Sequence, residues 1–328
     1  GDGVELKVNS TIEAGRVTIF EFGEDSHVTT DAIRFGQVES STNIKQDVYP
    51  EWFGAVADAY PSLGYLYADL STAHGSDSTE AFKRCMRFAE SASAVSAVEP
   101  NRSIHPSVTV SLAPNGVYYT VGDNPLGVQS NEVDQGYSVN LSGNGATLIW
   151  EPVEVDDAIF NKYGRIIKPQ IHDLNVVLVG AKGQRKGSFI NTSTGEGDTY
   201  HLWNGGHLSH LNLGTYSSVG FDTIFNITPD AVHSHDDLTR LEHVSTGSYN
   251  TFINFANNEA VDWLIEKGFF NSQTEGATHI KIGSGFSGGL TLNSCEILLR
   301  ENNETFIEAG SSISETPIRV IKGRMETR

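Results

Sequence analysis

Residues 251–308 read TFINFANNEAVDWLIEKGFFNSQTEGATHIKIGSGFSGGLTLNSCEILLRENNETFIE. Thr251-Phe-Ile-Asn254, Thr278-His-Ile-Lys281 and Thr305-Phe-Ile-Glu308 are one short strand-like motif written three times, at two equal steps of 27 residues. A second landmark runs ahead of it. Leu238/Leu241/His243, Ile265/Gly268/Phe270 and Leu292/Cys295/Ile297 approximate the apolar pattern h-x-x-h-x-h, and their starts also advance by 27 and 27. Two landmarks with one period in the twenties point to a solenoid. Short strands at that period suit a parallel β-helix, whose rungs stack about 4.8 Å apart.

Working outward, Ile171/Leu174/Val176 and Leu208/Leu211/Leu213 are earlier copies of the apolar pattern, followed by Ser188-Phe-Ile-Asn191 and Thr223-Ile-Phe-Asn226. Their longer steps are expected where loops on one face absorb insertions. A leucine-rich repeat would need an Asn motif that these repeats lack. A sandwich would need hairpins, and the best Asn-Gly turns, Asn115-Gly116 and Asn144-Gly145, precede the repeats.

Ahead of the repeats, the spacing predicts a single helix from about Ser78 to Ser91. Asp77 is placed to cap it, Glu80 completes a capping-box-like pair, and Phe82, Cys85, Met86 and Ala89 share one face. A lone amphipathic helix before many strands is expected to cover the open end of the solenoid, which otherwise exposes strand edges and core side chains. The alternating runs Val4 to Val8 and Arg16 to Phe22 read as half-buried strands. The chain thus divides into a short β segment (1–48), an entry module with the capping helix (49–100) and the β-helix (101–328). Residues 311–328 read as a further partial rung, so the solenoid is expected to continue.

Composition narrows the function. Of 328 residues, 38% are hydrophobic and 19% charged, an ordinary globular balance. No stretch approaches the ~18 apolar residues of a membrane span, so membrane insertion is not expected. The 41 acidic against 22 basic residues give a net charge of −19, which would repel a phosphate backbone and argues against nucleic acid. Cys85 and Cys295 stand alone, too few for a zinc site or a disulfide framework, and both read as buried thiols. Neither a metal nor another cofactor is expected.

Three segments carry a family resemblance: Pro50-Glu-Trp-Phe-Gly-Ala55, then Ser76-Asp-Ser-Thr79 at the helix start, then Ala113-Pro-Asn-Gly-Val-Tyr118. Together they resemble the entry module of pectate-lyase-like β-helix proteins, common in bacteriophage tailspikes and in some secreted polysaccharide enzymes. The resemblance covers about residues 10–150 by motif and the remainder by repeat pattern. It implies an all-β, right-handed parallel β-helix and a homotrimer on the virion that recognises and depolymerises a bacterial surface polysaccharide, capsule or lipopolysaccharide, as a glycoside hydrolase rather than a lyase, alongside other phage tail proteins. A non-catalytic spike or adhesin, or a secreted extracellular hydrolase or lyase acting as a monomer, are the alternatives. This chain departs from the family where Val56 to Gly75 forms a longer insertion with Tyr60, Tyr65, Tyr67 and His74.

The aligned repeats nominate residues for chemistry. Glu242 and Glu296 fall in one column two rungs apart, with Glu266 between them in a neighbouring column. Hydrolysis of a glycosidic bond uses one carboxylic acid to protonate the leaving oxygen and a second carboxylate to activate water or attack. Glu242 with Glu266 or Glu296 could supply these, or all three could be solvated acids paired with Arg240 or Lys267. Asp236 and Asp237, in the run His233-Ser-His-Asp-Asp237, are further candidate acids, and a metal there is disfavoured because adjacent strand residues point to opposite faces. His210, Arg240 and Lys267 in one column could contact substrate, or act as base in an elimination. Trp263 could stack on a sugar ring, or be core.

Overall fold

The computed structural model describes residues 46–61, 73–93, 95–96, 108–127, 135–137, 140–161, 165–167, 169–192, 201–214, 219–227, 234–235, 238–255, 262–283, 288–310 and 318–327. The expected strands within 1–45, and Asp236 and Asp237, lie outside these residues. The chain is an all-β parallel solenoid of about six turns with one α-helix among the described residues.

Each full turn crosses up to three sheets. The long face is built from Gln170–Leu178, His207–Leu213 and Arg240–Gly247, continued by the split pairs Trp263–Glu266 with Phe269–Asn271, Leu290–Asn293 with Glu296–Leu299, and Ile318–Ile321 with Arg324–Thr327. The second face stacks Ala158–Asn161, Ser188–Asn191, Phe221–Ile227, Tyr249–Phe255, Thr278–Ile282 and Thr305–Ala309 in that order, all parallel. A third sheet holds five short strands from Val95–Ser96 to Ser234–His235.

The second face follows the repeat read from sequence. Asn191, Asn226, Asn254, Lys281 and Glu308 occupy one column, and Ile253, Ile280 and Ile307 keep both steps of 27. The asparagines form a ladder, Asn254 Nδ2 donating to Asn226 Oδ1 at 3.0 Å and Asn226 Nδ2 to Asn191 Oδ1 at 3.3 Å. Polar side chains stacked at rung spacing thereby satisfy one another without water.

The long face corrects one register. Ile171, Leu208, Leu241, Ile265 and Leu292 form a single fully buried column, so the third repeat is Leu241/Val244/Thr246 rather than Leu238/Leu241/His243. Its steps are 24 and 27, not 27 and 27. Leu238 is exposed at a left-handed turn position, whereas Thr246 is buried.

Each of these strands bends between its two limbs at one left-handed residue. Asp173, His210, His243, Lys267, Ser294 and Lys322 hold φ between 52° and 57° on successive rungs. Non-glycine residues rarely adopt this conformation. Repeating it turn after turn folds the long face into two limbs and lifts these side chains onto a ridge between them.

Inside, Phe160, Phe189, Phe225, Phe252 and Phe270 run along the axis with ring centroids 4.3–6.0 Å apart, three of the four contacts edge-on. Gly268 shares the column of Leu174, Leu211, Val244 and Cys295 because the Phe270 ring fills its space; a Cβ there would lie 2.3 Å from Phe270 Cζ.

The entry module closes the first rung. Pro50–Phe53 forms a 3-10 turn stopped by left-handed Gly54, with φ of 96°. The helix Thr79–Ser93 buries Phe82, Cys85 and Met86 and packs Phe82 edge-on against Tyr118, 5.3 Å between centroids. Asp77 caps it, its Oδ1 accepting from the Thr79 backbone N–H at 2.9 Å. Glu80 lies 3.8 Å from Lys83. At the other end Val320 and Met325, which continue core columns, are exposed.

Candidate functional site

The corrected register brings Ser209, Glu242, Glu266 and Asn293 into one outward column on the first limb of the long face. Side chains alternate in and out along a strand, so Leu241 and Ile265 face the core while Glu242 and Glu266, on adjacent rungs, stand side by side outside. Arg240 lies two residues before Glu242 on the same outer surface and joins the pair. Its Nη2 is 2.6 Å from Glu266 Oε2 and 3.2 Å from Glu242 Oε2, so those two oxygens are at most about 6 Å apart.

Four more polar groups stand against this pair. Asn293 Nδ2 donates to Glu266 Oε1 at 3.0 Å. His207 Nε2 is 3.6 Å from Glu242 Oε2, and His243 Nε2 and Lys267 Nζ each lie 3.9 Å from Glu242 Oε1. On the ridge, Lys267 Nζ reaches His243 Nε2 at 3.2 Å, and the His210 and His243 rings stack 4.9 Å apart and 10° from parallel. His210 Nδ1 is 3.8 Å from Asp173 Oδ1, whose other oxygen meets His172 Nδ1 at 2.9 Å.

The Asn293 hydrogen bond is the leading reason that the Glu266 carboxyl sits below the usual carboxylate range, with Arg240 and then Lys267 adding to it. That shift favours the ionised form of Glu266, which suits a base or nucleophile. No group of three or more His, Cys, Asp or Glu able to hold a metal occurs among the described residues.

Several sequence expectations change. Glu296 does not share a column with Glu242. It lies beyond the bend, opposite Phe269, and pairs with Arg324 at 3.4 Å, because the three-residue register shift moves Glu242 into the column of Glu266. His210 and Lys267 do share a column, but its middle member is His243; Arg240 stands opposite His207 and Leu264. Trp263 is buried against Phe255, 5.2 Å between centroids, so it is core and not a sugar platform. His207 and His243 were missed. The signal for His207 was its place one residue before a core leucine, where Arg240 also stands once the register is right.

The chain matches no family model, no curated protein and no solved structure. The functional reading therefore rests on the fold and on this cluster. A β-helix is compatible with a polysaccharide-binding or depolymerising protein.

Proposed function

We propose that this chain is a phage tailspike subunit that binds a bacterial surface polysaccharide along the long face and hydrolyses it at the Glu242–Glu266 pair. One observation carries the reading: two carboxylates on adjacent rungs share the Arg240 guanidinium, their bridged oxygens at most about 6 Å apart. That bound includes the roughly 5–5.5 Å spacing at which a second carboxylate acts as nucleophile in retaining glycosidases. Glu266 attacks the anomeric carbon as the bond to the leaving oxygen breaks, and Glu242 in its acid form gives that oxygen its proton; the Glu242 carboxylate then takes a proton from water, which hydrolyses the glycosyl–Glu266 ester and restores both groups. Substrate entry between them displaces Arg240 from one carboxylate.

The test is release of reducing ends from capsule and lipopolysaccharide preparations of candidate host bacteria. Glu266→Gln and Glu242→Gln are each expected to lower the rate by about 10²-fold or more, with binding retained. Unsaturated uronate products would replace hydrolysis by elimination. Full activity in both variants would remove this pair from the reaction.

A further inference from the structure

The two glutamates share Arg240 but differ in the rest of their surroundings. Around Glu242 stand Arg240 at 3.2 Å, His207 at 3.6 Å, and His243 and Lys267 each at 3.9 Å, all of them cationic or able to become so. Glu266 has Arg240 Nη2 on Oε2 at 2.6 Å and a donor that does not titrate, Asn293 Nδ2, on Oε1 at 3.0 Å. A carboxylate only accepts, so the Asn293 amide must present its nitrogen there. The Ser294 hydroxyl fixes the other end of that amide, donating to Asn293 Oδ1 at 3.3 Å.

The backbone beneath the amide is pinned as well. The Asn293 carbonyl accepts from the Lys267 backbone N–H at 2.9 Å and from Cys295 Sγ at 3.6 Å, and Ser294 holds the left-handed bend beside it. Asn293 stands one rung beyond Glu266 in the same outward column, so it reaches Glu266 from the side opposite Glu242. Oε1 is occupied from that side. Oε2 is left toward Glu242, across Arg240, where a sugar must enter for both carboxyls to reach one glycosidic bond.

We propose that Asn293 is the positioning residue that sets the two glutamates apart, holding Glu266 Oε1 so that Oε2 is the attacking atom. The proposal rests on the hydrolase reading and deepens it. When the entering sugar takes Arg240 off Glu266, Asn293 still orients the carboxyl. Oε2 forms the bond to the anomeric carbon with its own electron pair, while the leaving oxygen keeps the pair of the broken bond and takes the Glu242 proton. The same hydrogen bond favours the charged form of Glu266, whose other charged or titratable neighbours are Arg240, Lys267, Glu242 and the Cys295 thiol.

The experiment follows the Glu266 carboxyl carbon by NMR through a pH titration of the intact chain, and measures kcat and KM for reducing-end release from the bacterial glycan preparations. Asn293→Ala is expected to raise the Glu266 titration by about one pH unit, and Asn293→Asp, which keeps the size but sets a second carboxylate against Oε1, by more. Both lower kcat about tenfold or more while KM stays within about twofold, as for a group that orients the reacting atom rather than holding the sugar. An unmoved titration, or Asn293 variants as active as the wild type while Glu266→Gln is inactive, would overturn the proposal and spare the hydrolase. A shifted titration in a chain that cleaves no glycan keeps the Asn293–Glu266 coupling but overturns the attacking role together with the hydrolase.

Discussion

His279 stands in the column where neighbouring rungs carry Phe189, Ile224 and Phe252, and it is fully buried. Its Nδ1 meets the Tyr249 hydroxyl at 2.6 Å, while its Nε2 is buried with no hydrogen-bond partner. Burial lowers its pKa from 6.5 to about 4. In the unfolded chain the imidazole takes up a proton near pH 6.5, whereas the folded one resists until about pH 4. Stability is therefore complete above about pH 6.5 and falls as pH drops through that window, by at most about 1.4 kcal/mol per pH unit from this group. His279→Phe, which matches the column, is expected to flatten this part of the profile. Urea midpoints at pH 7.5 and pH 5 check it: the wild-type difference should shrink in the variant.

At the scale of a rung, the core works by compensation across columns. Gly268 is small because Phe270 is large, where other rungs place Val176, Leu213, Thr246 and Ile297 in the Phe270 column. Gly268→Ala is expected to cost about 1–3 kcal/mol through overpacking. Gly268→Ala with Phe270→Leu should recover part of it, read as a coupling energy in a double-mutant cycle. The same feature explains what could be read from sequence. The Thr/Ser-Phe-Ile-Asn strands were legible because three landmarks, a hydroxyl, an apolar pair and a ladder residue, recur in fixed order. The long face slipped by three residues at Leu238 because Leu241 fits either register, and a buried threonine at 246 looks less like core than an exposed leucine. With that slip, Glu242 moved away from Glu266 and His243 was counted as an apolar position. The Glu242–Glu266 pairing had been one of two options in the sequence, and Arg240 as an ion-pair partner was also legible; the Asn293 contact depends on a rotamer that no pattern encodes.

For the whole molecule, the solenoid and its helical lid were legible because periodicity and a capped amphipathic helix are local signals, whereas assembly is not. The tailspike reading predicts a trimer, so light scattering coupled to size-exclusion chromatography should give three times the 35.6 kDa chain mass. A monomer, measured on the full natural chain, would favour a secreted enzyme with its site on a single long face. The stacking itself has a mechanical consequence. Backbone hydrogen bonds between rungs lie along the solenoid axis, so tension along that axis loads them one rung at a time, like a zipper. A pull directed across the face is carried along covalent strands and shared among neighbouring rungs. A polymer held on the Lys267 ridge and tugged sideways therefore loads the protein in its stiff direction.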